Sequence, residues 1–223
     1  MNEVWILLLL ILAAALPVIL VFCYFRLRKS SLTLLWFLVS LASGISSLFV
    51  AVLLQNLFPY INSGQGGLFP VFYNIFFRIA FLEELSRIVI LAPLFMAIKR
   101  RKHIDLSFCA AMGLAAGLGF AMLESAFYGL ADAHITLLRA FTAAPLHGAC
   151  GIRAGAAVFF FASHPVKALF LFIFAVLIHG AYNMMIVSPA FPSMLAILVA
   201  FTALFSSLPF LKTADTELHN YKN

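Results

Sequence analysis

Residues 70–98 read PVFYNIFFRIAFLEELSRIVILAPLFMAI. At about 1.5 Å of rise per helical residue the run is long enough to cross a hydrocarbon core of about 30 Å. Its middle nevertheless carries Glu83, Glu84 and Arg87. A charge at the centre of a bilayer costs about 2.5–3.5 kcal/mol on insertion scales, so such residues face the interior of a helix bundle and mark a functional site by default. The stretch therefore predicts both a membrane fold and a place to look for chemistry.

Six further apolar segments surround it, at 3–25, 32–54, 106–130, 136–162, 168–187 and 193–211. Lipid leaves helices as the only open segments whose backbone is fully satisfied, so all are expected to be α-helical, with Pro17, Pro93 and Pro145 as local kinks. The composition agrees: 65% of the 223 residues are hydrophobic and 10% charged, far from ordinary soluble domains. The expectation is an all-α, polytopic transmembrane bundle of about seven spans, a single domain over residues 1–223 with a motif-bearing core at 70–187.

The loops sort by charge. Arg26, Arg28 and Lys29, then Lys99, Arg100, Arg101 and Lys102, then Lys167, then Lys212 and Lys222 fall on one side, and the opposite loops, including the Asn62–Gly67 turn region, carry no Lys or Arg. The positive-inside rule puts the N-terminus outside and the C-terminus in the cytoplasm. Glu3 precedes the first apolar run and the cations follow it, the charge order of a retained helix rather than a cleaved signal peptide.

The net charge of +6 lies in short clusters between spans, not along one face, so nucleic acid is not the expected partner. Cys23, Cys109 and Cys150 show neither a disulfide framework nor CxxC spacing and read as small buried hydrophobes. Gly113 with Gly117, and Gly151 with Gly155, have the small-xxx-small spacing of close helix packing, which explains them without chemistry.

Within the spans remain Arg78, Glu83, Glu84, Arg87, Glu124, Arg139, His147, Arg153 and His179. Glu83, Glu84 and His179 lie near mid-membrane, and His147 and Glu124 somewhat farther out. Four helices thus bring titratable groups to a similar depth, as a shared polar cavity requires. Arg87 is three and four residues from the two glutamates, so it can hold one while the other faces the cavity. His179 and Asn183, and likewise Glu124 and Tyr128, share a helix face at i and i+4. Arg78, Arg139 and Arg153 read as counter-ions or interfacial anchors.

Taken in order, Glu83-Glu84-Leu85-Ser86-Arg87, Gly117-Leu118-Gly119-Phe120 leading into Glu124, Arg139 with Pro145-Leu146-His147, and His179-Gly180-Ala181-Tyr182-Asn183 resemble the PrsW family of intramembrane proteases. That family belongs to the superfamily of CAAX prenyl endopeptidases and bacteriocin-processing enzymes. The second motif reads FxxxE, through Phe120 and Glu124, where the CAAX branch has FxxxH; this favours the PrsW-like branch over a prenylated substrate. Arg87 replaces the Lys of many PrsW-like sequences, and the first two and last spans carry no motif.

The resemblance implies hydrolysis of a peptide bond of a membrane-anchored protein in a bacterial cytoplasmic membrane. The roles expected are Glu83 as general base, Glu84 held by Arg87, His147 and His179 positioning water or a metal, Asn183 donating to the oxyanion, and Glu124 as a third ligand or second acid. A zinc shell would be His147, His179 and Glu124. Two other classes stay open. Haem ligated by His147 and His179 leaves the glutamates without a role, and a proton-coupled transporter uses the carboxylates but normally shows internal repeats, which are not found.

Overall fold

The computed structural model describes residues 3–27, 32–62, 67–100, 104–187, 192 and 194–212. Of the loop residues weighed above, Arg28, Lys29, residues 63–66, Arg101, Lys102 and Lys222 lie outside that set. Every described element is helical: α1 (Glu3–Ala14), α2 (Leu16–Leu27), α3 (Leu34–Leu57), α4 (Leu68–Phe72), a π-helical stretch (Tyr73–Phe81), α5 (Leu82–Lys99), α6 (Leu106–Gly129), α7 (Ala133–Phe160), α8 (Pro165–Val187) and α9 (Met194–Ser207). The seven apolar segments all fold as helix. Among the described residues, five helices are long and apolar enough to cross a membrane: Val4–Leu27, Leu34–Leu57, Leu106–Gly129, Pro165–Val187 and Met194–Lys212. The run through α4 and α5, and α7, fall short in apolarity rather than length. They carry Arg78, Glu83, Glu84, Arg87, Arg139, His147 and Arg153.

Local chemistry sets the ends and breaks. Thr33, Asp105 and Asp132 cap α3, α6 and α7, their side-chain oxygens accepting the backbone N–H groups of Trp36, Phe108 and His134 at 3.5, 2.6 and 3.0 Å. Pro165 opens α8, where its missing N–H costs nothing. Pro17 offers no N–H to the turn before it, and the helix is interrupted at Ala15, between α1 and α2.

The third span departs from the expected α-helix. Over Tyr73–Phe81 the hydrogen bonds shift to the wider i→i+5 pattern, which brings side chains four apart nearly into register: the rings of Phe72 and Phe76 stack at 5.4 Å, and those of Phe77 and Phe81 at 5.5 Å. Hydrophobic pattern alone does not announce such a stretch. It ends two residues before Glu83, and π-helical turns recur at functional sites.

α6 is the buried centre, with α7 as its most extensive neighbour and α3 next. Its run of Ala and Gly lets backbones approach. A Cβ on Gly113 would stand 2.1 Å from the Gly151 carbonyl oxygen, one on Gly117 2.0 Å from that of His147, and one on Gly155 2.1 Å from that of Cys109. The small-residue spacing is thus used for packing, as read. Gly117 also sets the distance between α6 and the His147 backbone. Gly117→Ala is expected to lower stability by about 1–3 kcal/mol, the cost of overpacking, and to impair any activity that needs His147. Thermal melting in detergent checks this; an unchanged Tm contradicts it. The outer faces of α1, α2, α3, α8 and α9 carry exposed apolar side chains such as Trp5, Leu12, Leu53, Phe170 and Leu198, as lipid contact requires.

Candidate active site

The π-helical stretch delivers Glu83 and Glu84 to the first turn of α5, both buried. Being adjacent on the helix, they point about 100° apart and meet different partners. Glu84 accepts from Arg87 Nη1, one turn on, and from His179 Nδ1 at 2.9 Å. Glu83 accepts from Gln55 Nε2 through Oε1 at 3.3 Å, while its Oε2 is buried without a hydrogen-bond partner and lies 3.6 Å from His179 Nε2. A carboxylate oxygen left bare in an apolar interior is costly, so this atom points to something that fills the space in function.

The histidine protonation pattern follows from what each nitrogen faces. Glu84 can only accept, so His179 Nδ1 carries a proton, and Nε2 faces Glu83 Oε2. Arg87 can only donate, so its Nη2, 3.3 Å from His147 Nδ1, makes that nitrogen the acceptor. The proton of His147 is then on Nε2, which donates to Glu124 Oε2 at 2.9 Å. Arg87 thus bridges the α5 carboxylate and the α7 imidazole. Phe120 of α6 packs against both His147 and Arg87, its ring stacked on His147 at 5.0 Å with the Arg87 guanidinium 5.0 Å from its centroid. The two imidazoles meet edge to face at 4.9 Å.

Glu124 occupies the far side of His147. It also accepts from Arg139 Nη2 at 2.5 Å, and the Arg139 guanidinium lies 4.3 Å over the Tyr128 ring. Asn183, one turn after His179, is half-buried, and its side chain makes no hydrogen bond among the described residues. Arg153 and Arg78 lie elsewhere. Arg153 donates to the Ala149 and Ala203 carbonyls and to Ser206 Oγ, tying α7 to α9, and Arg78 donates to the Phe58 carbonyl.

Among the described residues, the group able to hold a metal ion is Glu83, His147 and His179, whose ligand atoms all lie within 4.8 Å of one another. The sequence groups Glu124 with the two histidines; in the structure Glu124 meets His147 and Arg139, and Glu83 is the carboxylate that lies close to both imidazoles. The donor set of one carboxylate and two imidazoles fits a divalent ion such as zinc. So does the bare Glu83 Oε2 beside His179 Nε2. His147 enters such a set by giving up one of its present contacts, in keeping with the proton release that accompanies metal binding. The Glu84–His179 hydrogen bond is the kind that orients a metal-binding imidazole.

Two contributors carried no functional role in the sequence reading. Phe120 belonged to a motif without a stated task, and Gln55 lies just past the expected end of the second span.

Comparison with known proteins agrees with this geometry. No curated protein and no solved structure matches the chain. The family model described as PrsW family intramembrane metalloprotease matches residues 31–208, well over half of the 223 residues and including every member of the buried cluster. The chain belongs to the PrsW family of intramembrane metalloproteases.

Proposed function

We propose that this protease hydrolyses a peptide bond of a membrane-anchored protein, in or just outside the substrate's apolar span, with Glu83 as the proton acceptor for the attacking water. The observation that carries this reading is the bare, buried Glu83 Oε2 facing His179 Nε2 at 3.6 Å. Water between these groups gives its proton to Glu83 as its oxygen attacks the carbonyl carbon. The Asn183 amide donates to the oxyanion. The C–N bond then breaks, and the leaving amine takes the proton that Glu83 accepted from the water, which returns Glu83 to its ionised form. Glu84 and Arg87 hold both imidazoles in place. A divalent ion held by Glu83, His147 and His179 would supply water acidified toward a pKa of about 7, leaving proton transfer to the carboxylates.

The test is cleavage of single-span membrane proteins by purified protein, with the cut mapped by mass. The expected cut is in or next to the outer half of the substrate's span. A cut confined to a cytoplasmic domain, or strict dependence on a prenylated Cys, contradicts the reading.

The depth assignment depends on orientation, for which the one-sided Lys and Arg distribution supports an outside N-terminus and a cytoplasmic C-terminus. In a bacterial cytoplasmic membrane, externally added thiol reagent should label cysteines placed at Gln65 and Asp132 but not at Lys29, Lys102 or Lys167. Labelling at Lys102 in intact cells would invert the topology.

A further inference from the structure

We propose that Gln55 is a positioning residue for Glu83, holding one carboxylate oxygen so that the other faces the histidines. The inference rests on the peptidase reading above, in which Glu83 Oε2 is the reacting oxygen. Gln55 belongs to the last turn of α3, a helix without any of the four motifs. Its Nε2 donates to Glu83 Oε1 at 3.3 Å and is the hydrogen-bond donor to that carboxylate among the described residues. The terminal torsion of a glutamate is broad and roughly two-fold, so a carboxylate without a held oxygen rotates freely between orientations. With Oε1 held, Oε2 is the oxygen 3.6 Å from His179 Nε2.

The end of α3 is itself fastened to the helix that carries Glu83. Beyond Gln55, the Phe58 carbonyl accepts from Arg78 Nε at 2.8 Å. The Ile61 backbone is bracketed by the buried Asn74, its carbonyl accepting from Nδ2 at 2.7 Å and its N–H donating to Oδ1 at 3.2 Å. The Phe58 ring meets Phe77 edge on at 5.2 Å. Residues 55, 58 and 61 thus pair with 83, 78 and 74 in reverse order, a ladder that runs from the site to the loop after α3. Asn74 and Arg78, four apart, are brought to one side by the widened turn of the π-helical stretch. A site held this way is preorganised, and misplacement of a reacting group by about 1 Å costs about a hundredfold in rate.

The experiment compares Gln55→Met, which keeps the shape but removes the donor, and Gln55→Glu, which keeps the shape but opposes two carboxylates. Steady-state cleavage by purified protein is measured together with thermal melting of Gln55→Met in wild-type and Glu83→Ala backgrounds. The expected result is a kcat about tenfold to a hundredfold lower with KM nearly unchanged, and a Tm loss from Gln55→Met that disappears when Glu83 is Ala. If both variants keep wild-type kcat while Glu83→Gln is inactive, the Gln55 role is overturned and the peptidase reading stands. If the wild type cleaves nothing, the peptidase reading fails and the melting cycle still decides: equal Tm losses in both backgrounds overturn the Gln55 contact.

Discussion

His147→Ala and His179→Ala are each expected to lose peptidase activity by about a hundredfold to ten-thousandfold, the usual loss when a positioned acid or base is removed. The expectation follows from the two imidazoles meeting at 4.9 Å beside Glu83, each with one nitrogen fixed by a neighbour. Among the described residues the other histidines, His134 and His164, lie exposed at helix ends and cannot substitute. Glu84→Gln should lose about tenfold to a hundredfold, as a partner that orients an imidazole does. It should also lower Tm, because Arg87 is left as a buried cation without its counter-charge. Steady-state cleavage with parallel melting curves checks all three. Full activity in either histidine variant removes the proposed centre.

The second large effect expected is loss of activity on metal removal. Glu83, His147 and His179 form a buried donor set suited to a divalent ion, and the family is one of metalloproteases. After chelation, with metal content followed by elemental analysis, cleavage should fall to background and return with stoichiometric zinc. Metal-free protein that keeps full activity, unchanged on adding zinc, would leave proton transfer by Glu83 as the whole source of water activation.

Much of this site is legible in the sequence because lipid makes charge expensive. Glu83, Glu84, Arg87, His147 and His179 stand out as ionisable groups in apolar runs, and equal depth on separate helices is enough to expect them together. Depth does not determine partners. Glu124 has the right depth and does meet His147 Nε2, but it shares that oxygen with Arg139, whereas Glu83, hydrogen-bonded by Gln55, is the carboxylate grouped with both imidazoles. Spacing gives the face of a helix, not the direction in which a carboxylate is drawn by a neighbour on another helix.

The polar residues missed are the inexpensive ones. Gln55 lies near the end of its span, where a neutral amide is easily accommodated, so nothing in the pattern marks it. The π-helical stretch is equally silent, since its aromatic residues suit an α-helix as well; only the pairing of Asn74 and Arg78 with the loop after α3 shows why the wider turn is there. Small-residue spacing marks the glycines as packing positions, but that one of them, Gly117, abuts the His147 backbone depends on how α6 and α7 are set against each other.

The central claim is that Glu83 activates the water that cleaves a membrane-anchored protein. The most direct measurement is cleavage of one single-span substrate by purified wild-type and Glu83→Gln protein, matched for Tm and side by side. The account predicts a defined cut in or just outside the substrate's span by the wild type, and no cut by Glu83→Gln above about a hundredth of the wild-type rate. Cleavage by Glu83→Gln at the wild-type rate and position would contradict it.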